Sequence, residues 1–77
     1  MYTLEIETKN KIIKLNNPRK ARLKDFILFD AIQVMNENGK WDTISYLFAE
    51  PGWKADNAVL LINSAIKTNI SSVYIGL

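Results

Sequence analysis

The 77-residue chain contains neither cysteine nor histidine. Without cysteine there is no disulfide framework, no thiol nucleophile and no thiolate metal site. Without histidine neither a Ser-His-Asp triad nor an imidazole-ligated zinc can be built. The three glycines are dispersed, which excludes a glycine-rich phosphate loop. Long hydrophobic runs are missing as well. The longest, Ala58 to Ile62, is far below the ~20 residues that span a bilayer, and Met1 is not followed by a basic and then apolar leader pattern. The expectation is a cytoplasmic protein with no membrane contact, in which Asn69-Ile70-Ser71 matches a glycosylation sequon by chance. Taken together, these absences predict a non-enzymatic chain with no catalytic residues, no metal and no cofactor.

What is there fits one small domain spanning residues 1–77. A chain of this size buries only about 60% of the surface its unfolded form exposes, so without a staple it depends on a dense apolar core or on a partner. A homo-oligomer is therefore one expectation. Charge is polarised along the chain. Seven basic groups against Glu5 and Glu7 leave +5 in residues 1–24, whereas three against six leave −3 in residues 25–77.

Tyr2, Leu4 and Ile6 alternate with Thr3, Glu5 and Glu7, the period of a half-buried strand. Lys9-Asn10-Lys11 reads as a turn and Ile12 to Leu15 as the returning strand. Asn17 followed by Pro18 then has the form of a helix cap and first helical residue. From Phe26 to Met35 only Asp30 and Gln33 are polar, which predicts a helix buried nearly all round and ended by Gly39. Asp42 is placed to cap a short second helix carrying Ile44, Leu47 and Phe48, with Pro51-Gly52 as its stop. Asp56 caps a third, with Ala58, Val59, Leu61, Ile62, Ala65 and Ile66 on one face and Asn69 at its end. Ser71 to Ile75 has the composition of a short strand that joins the hairpin. The predicted class is α+β: an N-terminal β-hairpin, three helices and a short C-terminal strand.

The segment Lys9 to Lys24 holds seven cations and no acid. Such a cluster neutralises phosphates, docks an acidic protein surface, or only solvates the fold. No aromatic residue lies between Tyr2 and Phe26, which favours a protein over nucleic acid. The candidate partner-binding residues are Lys14, Arg19, Lys20, Arg22 and Lys24. Trp53 joins them because Pro51-Gly52 presents its ring on a turn, whereas Trp41 is expected to seal the core. Asn36-Glu37-Asn38-Gly39 has the order of the centre of a calcium loop. Val34 and Ser45, however, stand where the first and twelfth ligands belong, so that reading fails. Asp30 and Gln33, three apart, fall on one narrow helical stripe.

The hairpin Tyr2 to Leu15, the Asn17-Pro18 step and the basic, then apolar stretch Arg19 to Met35 together resemble the layout of the small tail assembly chaperones of long-tailed bacteriophages. That resemblance covers the first half of the chain. It implies a non-enzymatic protein that coats a tape measure protein and brings tail tube subunits to it. The predicted function is thus a protein-interaction module with an acidic or apolar partner surface. The alternatives are a nucleic-acid-binding regulator that uses residues 9–24, or an inhibitor of another macromolecule.

Overall fold

The computed structural model describes residues 1–48 and 52–77. They form β1 (Thr3–Glu7), β2 (Ile12–Asn16), β3 (Lys20–Asp25), β4 (Asp30–Met35), β5 (Trp41–Leu47), α1 (Gly52–Lys67) and β6 (Ser72–Tyr74). The strands make two three-stranded sheets, in the orders β2-β1-β6 and β3-β4-β5. The domain is mainly β with one helix, which corrects the expectation of three.

The N-terminal hairpin is present. β1 and β2 pair antiparallel from Thr3 opposite Asn16 to Glu7 opposite Ile12. The Thr8 hydroxyl organises the turn by accepting from the Asn10 and Lys11 N–H groups. β6 adds to the free side of β1 in parallel, so the last strand does join the hairpin.

The helix predicted over Arg19 to Met35 is instead a β-hairpin. In Lys20–Asp25 the cations Lys20, Arg22 and Lys24 alternate with Ala21, Leu23 and Asp25, a period of two that the neighbouring apolar run obscures. That run is apolar for a reason other than an all-round buried helix. β4 is the central strand of its sheet, and Ala31, Ile32, Gln33 and Val34 are all buried. A central strand whose successive positions are all buried reads as continuous apolar sequence. The Asn17-Pro18 signal fails because Asn17 takes a left-handed conformation (φ 47°), which asparagine tolerates, between β2 and β3. Its N–H donates to the Tyr2 carbonyl and its side-chain oxygen accepts from the Tyr2 N–H.

The second predicted helix is also a strand. In Trp41–Leu47 the large residues Trp41, Ile44, Tyr46 and Leu47 are not in strict alternation, because an irregularity opposite Ile32 and Gln33 shifts the register and lets Ile44 reach the core. The turn before it, Asn36 to Lys40, uses Gly39 at φ 81°, so the glycine ends a strand and not a helix. Pro51, half of the expected helix stop, lies outside the described residues.

Only the third helix stands, and it begins earlier, at Gly52, so Asp56 lies inside it and not at its cap. Ala55, Ala58, Ile62 and Ala65 form the buried stripe, narrower than expected, with Leu61 exposed. The helix ends at Asn69 in the left-handed conformation (φ 55°). There the Ile70 N–H reaches the Ala65 carbonyl and the Asn69 N–H the Ile66 carbonyl, a closed C-terminal cap. α1 packs on β3 and β4 of one sheet and on β1 and β6 of the other, so both inner faces share one core built on Leu4, Ile6, Ile32, Val34, Ile44 and Ile62.

Candidate functional site

A strand sends alternate side chains to opposite faces. In the second sheet this sorts charge as well as hydrophobicity. Register places Lys20 opposite Met35, Arg22 opposite Gln33 and Lys24 opposite Ala31 on the face turned away from α1, joined by Trp41 and Thr43 of β5. The acids Asp25, Asp30 and Asp42 share the register positions of the inner face, at its margins. The outer face is therefore basic, and an acid-to-cation distance of 4.0 Å or less occurs there for none of its three cations among the described residues.

Arg22 is the best-held group on it. Its Nε and Nη2 donate to Gln33 Oε1 at 3.0 and 2.8 Å, and Gln33 Nε2 donates to Thr43 Oγ1 at 3.2 Å. Gln33 is 9% exposed, so this amide is a buried prop and not a solvated side chain. The guanidinium carbon lies 3.9 Å from the centroid of the Trp41 ring, and the Lys20 amine lies 5.9 Å from it. A cation over the face of an indole is attracted by the ring quadrupole. The result is a guanidinium seated over the indole and fixed by hydrogen bonds to Gln33.

At the other end of the same hairpin the chemistry changes. Phe26 to Phe29 form the β3–β4 loop, closed by the Phe26 N–H donating to the Phe29 carbonyl at 2.9 Å. Phe29 stacks on Phe26 (4.9 Å) and packs against Tyr46 (5.5 Å) and Phe48 (5.2 Å). This cluster holds Ile27 and Leu28 out in solvent, 101% and 83% exposed. Beneath the tip, Asp30 is hydrogen-bonded to Asp25, and this shared contact, with some desolvation and the nearby carboxylates of Asp25 and Asp56, raises its pKa above the ordinary aspartate range.

The six sequence-selected residues do not form one site. Lys20, Arg22 and Lys24 come together on the outer face. Arg19 lies beside it, its Nη2 donating to the Glu37 carbonyl at 2.9 Å. Lys14 sits on β2 in the other sheet, 3.4 Å from Glu5. Trp53 is exposed on the first turn of α1, with the Lys54 amine 5.9 Å from its ring. Asp30 and Gln33 do not share a stripe, because three residues apart on a strand is opposite faces. Trp41, Gln33 and Thr43 were missed. Trp41 is about twenty residues from the cations in sequence, and only antiparallel pairing brings it across.

No group of three or more His, Cys, Asp or Glu side chains able to hold a metal occurs among the described residues. A groove of about 480 Å³ runs between the first hairpin turn and β5, past Thr8, Lys11, Tyr46, Phe48 and Leu77. It brings no acid and base together. No helix among the described residues is long and apolar enough to cross a membrane. No protein-family model matches the chain, and neither a curated protein nor a solved structure does.

Proposed function

We propose that the chain is a non-enzymatic, cytoplasmic binding module that docks a protein partner through the Phe26 to Phe29 tip. The observation that carries this reading is the exposure of Ile27 and Leu28 at the end of a hairpin whose aromatic props keep them from folding back. Hairpin loops are ordinarily polar, and a contiguous apolar patch on a small domain is a liability unless something covers it. Aromatic and aliphatic anchors that enter a pocket supply most of the energy of a typical protein interface. Of the layout that resembles tail assembly chaperones, the N-terminal hairpin is present. The helical part, Arg19 to Met35, is a pair of strands.

The test places a photoreactive side chain at position 27 in cells that express the protein. A specific adduct with another protein, lost when Leu28 is changed to Asp, supports the reading. An adduct only with a second copy of the chain replaces it by self-association, which sedimentation then confirms. Absence of any protein adduct overturns it.

A further inference from the structure

We propose that the outer face of the β3-β4-β5 sheet binds single-stranded nucleic acid, with a base stacking on the Arg22–Trp41 layer and phosphates held by Lys20, Arg22 and Lys24. The site is distinct from the hairpin tip and does not depend on what docks there.

Three observations carry it. The first is charge. Lys20, Arg22 and Lys24 are alternate residues of one strand, so they repeat at about 6.6–6.8 Å along a line. None has a carboxylate partner among the described residues, and the acids of this sheet lie on its other face. A row of like charges at a regular spacing complements a polyanion that carries one charge per unit.

The second is preorganisation. Gln33 takes the Nε and one Nη2 donor of Arg22 and its guanidinium carbon sits 3.9 Å from the Trp41 ring centroid, so the guanidinium is ordered before any ligand arrives. Its other N–H donors remain for a phosphate or a base edge, and a guanidinium plane is itself a surface on which a base stacks. Ordering a long side chain in advance removes part of the entropy cost of binding.

The third is the ring. The carboxylates of an acidic protein surface pair with the cations alone. A nucleic-acid base uses both, because it stacks on aromatic rings and on guanidinium planes. A duplex hides the faces of its bases inside the helix, so this geometry selects a single strand. Thr43, beside the Arg22 layer and held by the Gln33 amide, presents a polar group where an apolar protein anchor would need a pocket.

The full chain carrying Trp53→Phe, so that Trp41 alone reports, is titrated with fluorescently labelled oligo(dT) and oligo(U) at about 50 mM and about 200 mM salt. The expected result is salt-sensitive binding with quenching of Trp41. Three phosphate contacts on a single strand give a slope of log K on log[salt] of about −2, and Lys20→Ala or Lys24→Ala reduces its magnitude by about 0.7. Trp41→Ala weakens binding roughly 5- to 100-fold at both salt concentrations and leaves the slope unchanged. Where that variant loses its fold by circular dichroism, Arg22→Lys replaces it, since it keeps the charge and loses the planar stack. Lys14→Ala, on the other sheet, leaves binding as it is.

Four outcomes overturn the proposal. They are no oligonucleotide binding, equal affinity for duplex, equal or tighter binding of polyglutamate, and equal loss in Lys14→Ala. Ile27→Asp separates the two surfaces, because it abolishes docking at the tip and leaves the oligonucleotide isotherm intact.

Discussion

The two sheets have the same number of strands and back onto the same core, yet their outer faces carry opposite chemistry. On the β2-β1-β6 face Glu5 lies between Lys14 and Ser72 and Glu7 between Ile12 and Tyr74, and Lys14 is paired with Glu5. A shallow groove there, about 180 Å³, is lined by both glutamates. On the β3-β4-β5 face three cations stand against no acid among the described residues, and a buried amide and an indole hold the middle one in place. A solvated face is ordinarily mixed in sign, as the first is. The second departs from that pattern and keeps a large ring among its charges, so solubility alone does not account for it. What reads in sequence as one basic segment, Lys9 to Lys24, is divided by the fold between a sheet face that mixes Lys14 with Glu5 and Glu7 and one on which Lys20, Arg22 and Lys24 meet no acid among the described residues.

The comparison holds only if the sheets are halves of one cooperative unit, and the core variant Ile62→Ala tests this with the largest expected effect. Ile62 is fully buried on the helix that both sheets share. Its truncation is expected to cost about 2–5 kcal/mol, a large share of the total stability of a small domain. Urea unfolding followed by Trp fluorescence and by far-UV circular dichroism should show one coincident transition at a lower midpoint. Two separated transitions would mean that the sheets fold independently.

The ties between helix and sheets differ in kind, which sharpens the comparison at smaller scale. Asn63 on α1 completes the edge of β3. Its Oδ1 accepts from the Ala21 N–H at 2.8 Å and its Nδ2 donates to the Ala21 carbonyl at 3.2 Å. Asn63→Ala strands both backbone groups beside a buried residue, with an expected loss of about 1–3 kcal/mol. On the other side the Tyr2 hydroxyl lies within hydrogen-bond distance of the Ile70 carbonyl at 2.6 Å and the Ala65 carbonyl at 3.1 Å, anchoring the helix end to β1. The Ala65 carbonyl keeps the Ile70 N–H and the Ile70 carbonyl is near solvent, so Tyr2→Phe should cost less, about 0.5–1.5 kcal/mol. Equal losses in denaturant midpoint would show that the helix is held no more firmly to the basic sheet than to the other.

The same contrast explains what was legible in the sequence. The first hairpin alternates cleanly, with one face solvated, and its strands and turn follow directly from the residues. In the second hairpin the central strand is buried at successive positions, so Ala31 to Val34 lose the alternation that marks a strand and imitate a buried helix. Asn17 and Asp42 have the chemistry of helix caps, but asparagine also suits a left-handed turn, and Asp42 lies on a strand beside Asn36, whose Nδ2 donates to its Oδ2 at 3.3 Å. Local signals carried no information on which use applied. For the candidate site, the cations were visible because they are consecutive in chain order. Trp41, Gln33 and Thr43 were not, because their relation to Arg22 exists only across strands. The alternation of cations with Ala21 and Leu23 was the one available sign, and it also would have placed Lys20, Arg22 and Lys24 on a single face.

The smallest expected effect concerns the acidic end of the second sheet. Asp25 and Asp30 face each other across the last register pair before the apolar tip, and the raised pKa of Asp30 comes chiefly from its hydrogen bond to Asp25. The folded chain therefore binds a proton more tightly there than the unfolded chain does. Between the ordinary aspartate value and the raised one the folded state holds more protons, so stability falls as pH rises through that window and is greatest below it. Asp30→Asn removes the repulsion that ionisation creates and keeps an amide able to donate to Asp25. In this variant the midpoint of urea unfolding, followed from about pH 3 to about pH 7, should lose that downward component. At neutral pH the variant should be slightly more stable than the parent, by a small margin because the group is open to solvent. Glu5→Gln in the first sheet should move stability the other way, since it removes an attraction to Lys14 instead of a repulsion. If Asp30→Asn leaves the pH profile of the parent unchanged, the carboxylate pair is not coupled in solution, and the charge sorting of the second sheet reduces to its outer face alone.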